Sequence, residues 1–402
     1  MTIFCVILAN AGIQNRSILS CDIINTIVNI KNIKNKKIYV GLSGGVDSSV
    51  AAALLLEAGA DVTGVFIKGW YPEFLKCDWK EERRDAMRVA AHLGIPFLTC
   101  DAEESYKKNV IDYMISEYKA GRTPNPDVMC NKYVKFGTFF DFAMKHGADY
   151  VATGHYSRVF CHSREGGNPC LNFDVQLLKG EDGNKDQSYF LWAVSKEQLE
   201  KTLFPIGEID KPEVRKIAKK YKLFTGEKKD SQGLCFLGKV DLDEFLSHTI
   251  PKKEGNVLNI EGEIIGVHDG VHLYTLGERH GFTINKKDTD TGPFYIVSKD
   301  IEKNTLTVSD SKVEIQNSSS LGVILRDVNW IVKPELGKEY MCRFRYRQPL
   351  FRCSIDLEAK PQAENGYVVN FIDKQDFVSV GQSLVLYDGN VCLGGGIIES
   401  VI

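Results

Sequence analysis

The sequence lacks the cysteine patterns of zinc sites and of disulfide-rich secreted proteins. None of its 11 cysteines forms a C-x-x-C pair, and no cysteine–histidine cluster has zinc spacing. An odd number of cysteines without an export signal indicates free thiols in a reducing compartment. The sequence therefore gives no metal ligand set.

A long hydrophobic run is also missing. The N-terminal stretch TIFCVILANAGI is only about half as long as a membrane span. It has no basic leading region, which makes it a poor export signal. The class of protein that we expect is a cytoplasmic enzyme without a membrane segment.

The chain has little net charge to attract nucleic acid as a whole. Its formal charge is −3, so any contact with RNA must come from local basic patches. One candidate patch is 211–229, where Lys and Arg far outnumber acidic residues, and another is RFRYRQPLFR at 343–352, where Arg residues lie among aromatic ones. A solvated helix face is an equally ordinary interpretation of the first run.

The order of motifs predicts several domains, since 402 residues exceed what one core usually fills. Strand and helix patterns alternate from residue 37, which predicts an α/β fold with a parallel sheet. Short alternating segments without helical periodicity predict a C-terminal β-barrel. The predicted units are an N-terminal extension (1–36), a catalytic α/β domain (37–230), a small central domain (231–305) and the barrel (306–402). The polar stretch 161–174 is predicted to be a surface loop or insertion.

The stretch GLSGGVDSSV (41–50) follows an apolar strand pattern and precedes a helix pattern. Such a strand–turn–helix places backbone N–H groups and the positive end of a helix dipole at one point, which suits a phosphate. It has neither the Walker A spacing nor G-x-G-x-x-G. SGGVDSS instead resembles the PP-loop of ATP pyrophosphatases. The alternative is that Asp47 or Ser48 simply caps the helix.

Two cysteines lie in polar, turn-rich sequence. Cys130 occurs in TPNPDVMCNKYVKFG, with Asp127 before it and lysines after it, and Cys235 occurs in KKDSQGLCFLG. Nearby cations lower the pKa of a thiol and favour the reactive thiolate. For each cysteine the alternative is a packed and inert side chain.

Several longer motifs now identify a family. They are SGGVDSS, NPDVMCNKYVKFG, ATGHY, KDQSYFL, DSQGLCFLG, TLGERHG and GQSLVLYDGNVCLGGGII. Together, and in this order, they resemble the tRNA-specific 2-thiouridylases from about Lys37 to the end of the chain. The resemblance implies a PP-loop domain of the adenine nucleotide alpha hydrolase type, a small central domain and a β-barrel that contacts tRNA.

The resemblance also implies roles for individual residues. Asp127 is the implied general acid/base, Cys130 the nucleophile and Cys235 the persulfide carrier. The implied ATP-binding residues are Gly41, Leu42, Ser43, Gly44, Gly45, Val46, Asp47, Ser48, Ile67 and Gly154. The implied tRNA-binding residues are Asn125, Pro126, Asp127, His155, Lys185, Asp186, Gln187, Arg345, Tyr346 and Gln382. Ile67 stands where the family commonly has Met, and a backbone contact tolerates this change.

The implied reaction replaces the C2 oxygen of the wobble uridine with sulfur. ATP adenylates that oxygen, and the Cys235 persulfide then supplies sulfur, which leaves a Cys130–Cys235 disulfide. Mg²⁺ is implied by the pyrophosphate chemistry, but spacing assigns it no ligands. The implied partners are the anticodon stem-loop of tRNA and a cysteine desulfurase or sulfur-relay protein.

Two other functions remain open at this point. An amidating PP-loop ligase would need the ATP loop but neither cysteine. A tRNA-binding protein whose catalytic apparatus has decayed would need the RNA-contacting residues alone. Residues 1–36 and 161–174 do not match the family pattern, although neither segment contains a motif residue.

Overall fold

The chain is described from a computed structural model. The described residues are 33–74, 79–163, 173–229, 242–285, 292–310, 319–357 and 366–402. Cys235, most of the predicted N-terminal extension and the centre of the predicted 161–174 insertion lie outside these ranges.

A five-stranded parallel sheet forms the centre of the first domain, in the order β3-β2-β1-β4-β7. Its strands are β1 (Lys37–Gly41), β2 (Asp61–Lys68), β3 (Phe97–Asp101), β4 (Tyr150–Ala152) and β7 (Thr202–Leu203). The inward positions Ile38 and Val40 are fully buried, because helices cover both faces of the sheet. The predicted α/β fold with a parallel sheet is confirmed.

Helices connect and cover these strands. They are α1 (Val46–Glu57), α2 (Trp79–Leu93), α3 (103–119), α4 (126–145), α5 (Lys196–Glu200), α6 (Lys211–Lys220) and α7 (Leu242–Ser247). Helix α1 is rich in Ala and Leu, and its small residues Ala51 and Ala52 are fully buried against the sheet. Helix α2 is amphipathic and buries Ala86, Val89 and Ala90.

Two of these helices change their winding partway along. Helix α3 is π-helical at Lys107–Asp112, and α4 is π-helical at Cys130–Thr138. Such widened turns are uncommon and occur frequently at functional sites. The second one begins at Cys130, for which the family resemblance implies the role of nucleophile.

A smaller five-stranded sheet follows, in the order β10-β9-β8-β12-β11. Its strands are β8 (Gly255–Leu258), β9 (Ile264–His268), β10 (Phe282–Ile284), β11 (Tyr295–Asp300) and β12 (Thr305–Ser309). Val257, Ile296 and Leu306 are fully buried between its strands and the turn at Val271–Leu273.

The last six strands close into a barrel, as predicted. They are β13 (Ser320–Trp330), β14 (Glu339–Arg343), β15 (Phe351–Leu357), β16 (Tyr367–Gln375), β17 (Ser383–Asp388) and β18 (Val391–Val401). They hydrogen-bond in the order β13-β16-β15-β14-β17-β18, and β18 also pairs with β13. Closure satisfies the strand edges that an open sheet leaves exposed.

A hairpin from the first domain joins the barrel. Strands β5 (Ser157–Ser163) and β6 (Phe173–Lys179) pair with each other, and β6 adds to β18 through Leu177 and Leu178. The prediction of a loop over 161–174 is therefore wrong at both ends, where the residues belong to paired strands. Because the centre of the stretch is polar, the strand patterns on either side of it were not recognised in the sequence.

Candidate active site

A cavity of about 590 Å³ lies where the parallel strands end. The carboxyl ends of β1, β2 and β4 meet at this edge of the sheet, as expected for a ligand site in an α/β fold. Predicted site residues that line it are Gly41, Leu42, Ser43, Gly45, Val46, Asp47, Ser48, Ile67, Asp127, Gly154, His155, Lys185, Gln187 and Tyr346. The fold thus brings the loop 41–48, which is implied to bind ATP, together with half of the residues that are implied to bind tRNA.

The loop before α1 is held by its own serines. Ser43 donates its backbone N–H to Ser48 Oγ at 3.2 Å, and Ser49 Oγ donates to Gly45 O at 2.7 Å. Gly44 has a φ of +72°, and a Cβ there would lie 2.7 Å from Glu82 O. A side chain at this position is therefore strained and obstructed.

The N-cap of α1 is Gly45, and no side chain caps the helix. The alternative that Asp47 or Ser48 serves as the cap is therefore wrong. The N–H groups of the first turn of a helix lack intrahelical acceptors, and they point into the region where a phosphate is best held. The loop has the geometry of an anion-binding helix N-terminus.

Asp47 is held by two partners that the sequence analysis did not assign. Lys211 Nζ lies 2.8 Å from both carboxylate oxygens, and Tyr156 donates its hydroxyl to Oδ1 at 2.7 Å. Lys211 opens helix α6 and is buried. The ion pair neutralises the Asp47 carboxylate beside the loop 41–48.

The basic run 211–229 divides between two environments. Lys228 Nζ donates to Gly44 O at 3.1 Å and pairs with Asp85 at 3.0 Å, so it also reaches the loop. Lys216 pairs with Glu213 on the solvent face. Lys228 therefore contacts the loop 41–48, whereas Lys216 matches the alternative of a solvated helix face.

Gly154 touches the backbone of the loop. A Cβ at this position would lie 2.6 Å from Ser48 N and 2.8 Å from the carbonyl carbon of Asp47. Such a close approach of two backbones requires glycine. Gly154 therefore sets the position of the first turn of α1 relative to β4.

The segment around Asp127 begins helix α4. Asn125 is the N-cap and accepts a hydrogen bond from Val128 N at 3.4 Å, and Pro126 occupies the first helical position. Asp127 lines the cavity, and its buried Oδ1 has no hydrogen-bond partner among the described residues. Cys130 is 0% exposed and packs in the hydrophobic core, outside the cavity lining.

The barrel and the central domain both hold the segment just before Asn125. Gln382 Nε2 donates to Thr123 O at 3.1 Å, and Thr123 N donates to Val380 O at 2.8 Å. Lys299 Nζ donates to Gly121 O at 3.0 Å, and burial lowers the pKa of this lysine to about 8. Gln382, which is implied to contact tRNA, here holds the segment that leads into Asn125, Pro126 and Asp127.

His155 is a neutral histidine. Its Nδ1 lies 2.7 Å from Thr153 Oγ1, and Lys135 Nζ lies 3.5 Å from its Nε2. Since an ammonium group only donates, Nε2 is the acceptor and Nδ1 carries the proton. Burial, with a smaller effect of Lys135, holds the pKa of His155 well below its usual value.

Asp186 and Arg345 hold domains together. Asp186 is 3% exposed and accepts from Arg343 Nη2 at 2.5 Å across the interface with the barrel. Arg345 Nη2 donates to Leu276 O at 2.8 Å and Phe377 O at 2.9 Å. The side chains of Arg343 and Arg345 are both engaged inside the protein. The predicted basic patch 343–352 therefore offers fewer cations to phosphate than its sequence indicates.

The neighbours of these residues do reach the cavity. Lys185, Gln187 and Tyr346 line it. Gln187 Oε1 accepts from Tyr156 N at 2.9 Å, and the Tyr346 ring lies 4.6 Å from the ring of Phe190. Lys185 and Gln187 flank Asp186, so the buried Asp186–Arg343 pair anchors the backbone between two residues of the cavity lining.

Sequence analysis missed several residues of this site. It gave no role to Phe66, Glu82, Asn131, Lys135, Tyr156 and Phe190, and it named Lys211, Lys228, Lys229 and Arg347 only as members of candidate basic patches. Asn131 and Lys135 lie within the quoted Cys130 motif, and Tyr156 follows His155, so their motif positions were a usable signal. Lys211 carried no such signal, because only the fold brings α6 to the loop.

The described part of the chain contains no cluster of metal-binding side chains. There, no group of three or more His, Cys, Asp or Glu side chains is close enough to hold an ion. Within the same ranges, no helix is both long and apolar enough to cross a membrane.

Comparisons with known families cover almost the whole chain. The model described as the tRNA methyl transferase HUP domain matches residues 36–239. Models described as the tRNA methyl transferase PRC-barrel domain and the Aminomethyltransferase beta-barrel domain match residues 243–310 and 320–398.

Individual relatives are similar over nearly their full length. The tRNA-specific 2-thiouridylase MnmA of Oceanobacillus iheyensis is 43% identical over 377 residues, which are 93% of this chain and 97% of that protein. MnmA 2 of Geobacillus kaustophilus is 45% identical over 370 residues, 91% of this chain and 95% of that protein. MnmA of Listeria monocytogenes is 44% identical over 375 residues, 92% of this chain and 96% of that protein.

Proposed function

Because the chain belongs to the family of tRNA-specific 2-thiouridylases, we propose that it uses ATP to replace the C2 oxygen of the wobble uridine in tRNA with sulfur. It is a tRNA-uridine 2-sulfurtransferase. The observation that carries the mechanism is the cavity of about 590 Å³ that contains both the ATP loop and Asp127. Membership of this family favours thiolation over an amidating ligase.

The loop Gly41–Ser48 serves the first step. The C2 carbonyl of uridine is a poor electrophile, and its oxygen is a poor leaving group. That oxygen attacks the α-phosphorus of ATP, pyrophosphate leaves, and an O-adenylated uridine remains. Donors at the N-terminus of α1 and the Lys211 charge stabilise the phosphates as charge moves onto pyrophosphate.

Mg²⁺ fits this step as an ion carried by the phosphates. Such ions are commonly held by substrate phosphates, waters and one or two carboxylates. Asp47 is the carboxylate of the loop, although it is paired with Lys211 in this structure. Bound there, the ion would neutralise phosphate charge.

Sulfur transfer requires both cysteines. The terminal sulfur of a persulfide on Cys235 attacks C2, and AMP leaves. The Cys130 thiolate then attacks the Cys235 sulfur, which forms a Cys130–Cys235 disulfide and releases 2-thiouridine. A thiol reductant regenerates the two thiols, and a cysteine desulfurase or relay protein reloads Cys235.

Such a disulfide needs Cα atoms within about 7 Å. Cys130 is fully buried in this structure, so RNA binding must rearrange the start of the π-helical stretch of α4. The anticodon stem-loop suits the site, because a loop nucleotide can be flipped out and read on its edges. Lys185, Gln187 and Tyr346 line the cavity and would contact such a nucleotide.

The test is thiolation of an unmodified anticodon stem-loop with ATP and a persulfide source, with AMP release followed in parallel. We expect wild type to form 2-thiouridine. Cys130→Ser and Cys235→Ser should lose more than about 100-fold in thiolation rate while still binding RNA. Cys353→Ser is the matched control, since Cys353 is a buried thiol of the barrel core.

Each other result has a distinct meaning. If both cysteine variants thiolate like the control, the sulfur route is wrong. If wild type binds RNA but releases no AMP and forms no 2-thiouridine, the protein is a decayed RNA-binding member of the family.

A further inference from the structure

Asn131 is a buried residue of the active-site lining. It follows Cys130 on helix α4, is 2% exposed and lines the cavity. Its Nδ2 donates to Phe190 O at 3.0 Å. Since a backbone carbonyl only accepts hydrogen bonds, this contact fixes which end of the amide is nitrogen, and Oδ1 is the end left for another partner.

That oxygen has no donor in the described part of the protein. Asn131 Oδ1 and Asp127 Oδ1 are both buried acceptors without a hydrogen-bond partner there. They are four residues apart at the start of α4, a spacing that places side chains on one helix face. Buried acceptors are normally satisfied, so two of them at one cavity indicate a ligand that brings its own donor.

A uracil base supplies such a donor beside the reacting atom. Its N3–H is the only donor on its pairing edge, and N3 is bonded to C2, where the proposed reaction occurs. We propose that Asn131 Oδ1 accepts the N3–H of the target uridine and so selects bases that carry a proton at N3. The proposal rests on the proposed function.

Asn131 is suited to selecting between bases because its amide cannot flip without losing the hydrogen bond to Phe190 O. A freely rotating amide would offer Nδ2 to a base whose N3 is an acceptor, as in cytidine. The anchored amide presents only oxygen, so an acceptor at N3 would meet another acceptor. A buried polar group left unpaired by the wrong ligand gives strong discrimination.

The experiment compares two substrates in each protein variant. Anticodon stem-loops carrying uridine or 3-methyluridine at the target position are thiolated with enzyme limiting and RNA well below KM, so that initial rates give kcat/KM. For wild type we expect kcat/KM to favour uridine by at least about 100-fold. In Asn131→Leu and Asn131→Ala, kcat/KM for uridine should fall by about tenfold, and the preference should shrink by a similar factor. The ratio within one variant is independent of the fraction folded.

Asn329→Leu is the matched control. Asn329 Nδ2 donates to Trp192 O at 2.7 Å and Val194 O at 3.1 Å, so it is also an amide anchored to backbone carbonyls, but it lies outside this cavity. Its loss should leave the uridine preference unchanged.

Three outcomes overturn the proposal. An unchanged preference in both Asn131 variants means that Asn131 does not face N3. A weaker Kd for ATP with an unchanged preference assigns the orphaned oxygen to the adenine amino group instead. If wild type fails to thiolate the uridine stem-loop at all, both the proposed function and this proposal are wrong.

Discussion

Lys211 Nζ lies 2.8 Å from both carboxylate oxygens of Asp47, although the two residues are 164 positions apart. The pair joins helix α6 to the first turn of α1, beside the anion-binding loop. Its charge balance matters, because an uncompensated carboxylate there would repel a triphosphate.

The first prediction concerns this pair. Lys211→Met should weaken ATP binding and slow AMP formation by at least about tenfold, because it leaves the Asp47 charge unbalanced next to the phosphates. ATP titration calorimetry and an AMP assay measure the two effects. Lys216→Met, on the same helix but exposed, should leave both unchanged. Equal Kd values for ATP in the two variants would contradict the role given to Lys211.

The second prediction concerns the close approach at Gly154. In Gly154→Ala, the new Cβ would lie 2.6 Å from Ser48 N and must displace the loop backbone. We expect the Kd for ATP to rise by about tenfold or more. Gly183→Ala is the control, since a Cβ there meets nothing within 4 Å. A normal Kd in Gly154→Ala would show that the loop adapts without loss of function.

The third prediction follows from the neutral His155. Its folded-state pKa lies well below 6.5, so the unfolded chain binds more protons as the pH falls below 6.5. Between pH 7.5 and 5.5, wild type should therefore lose unfolding free energy faster than His155→Gln. Above pH 6.5, the shapes of the two pH–rate profiles should coincide, because His155 is already neutral. Parallel stability curves below pH 6.5 would contradict the assignment.

The fourth prediction concerns Lys299, whose pKa is lowered to about 8 by burial. Between pH 8 and 10.5 the unfolded chain binds the extra proton, so the unfolding free energy of wild type should rise with pH relative to Lys299→Met. The difference should change by up to about 3 kcal/mol across this window. Urea denaturation at several pH values measures it, and a difference that stays constant would rule out the lowered pKa.

The fifth prediction concerns the buried Asp186–Arg343 pair. Arg343→Met leaves the Asp186 carboxylate buried without its cation, which should lower the unfolding free energy by about 3–5 kcal/mol. The double variant Asp186→Asn/Arg343→Met should recover part of this loss, since the uncompensated charge is removed. A double-mutant cycle in urea measures the coupling. Strictly additive losses would mean that the two side chains do not stabilise each other.

The local features of the site were predictable because they are encoded in short, contiguous stretches. An apolar strand, a glycine-serine turn and an Ala- and Leu-rich helix follow one another between residues 37 and 57, and their spacing alone indicates an anion-binding loop. The α/β fold and the barrel were predictable for the same reason, since hydrophobic periodicity repeats within each element. The roles of individual residues came from longer motifs, and the sequence could not tell which of these side chains are exposed.

Tertiary structure decided how distant segments meet. The fold pairs Lys211, which the sequence shows only as part of a basic run, with Asp47. It also buries Asp186 against Arg343. It also joined the hairpin β5–β6 to the barrel and enclosed Cys130 in the core. Each of these outcomes depends on packing and charge pairing between parts of the chain far apart in sequence. Local propensity cannot decide such contacts, because their free energy belongs to the folded assembly of elements and not to any one of them.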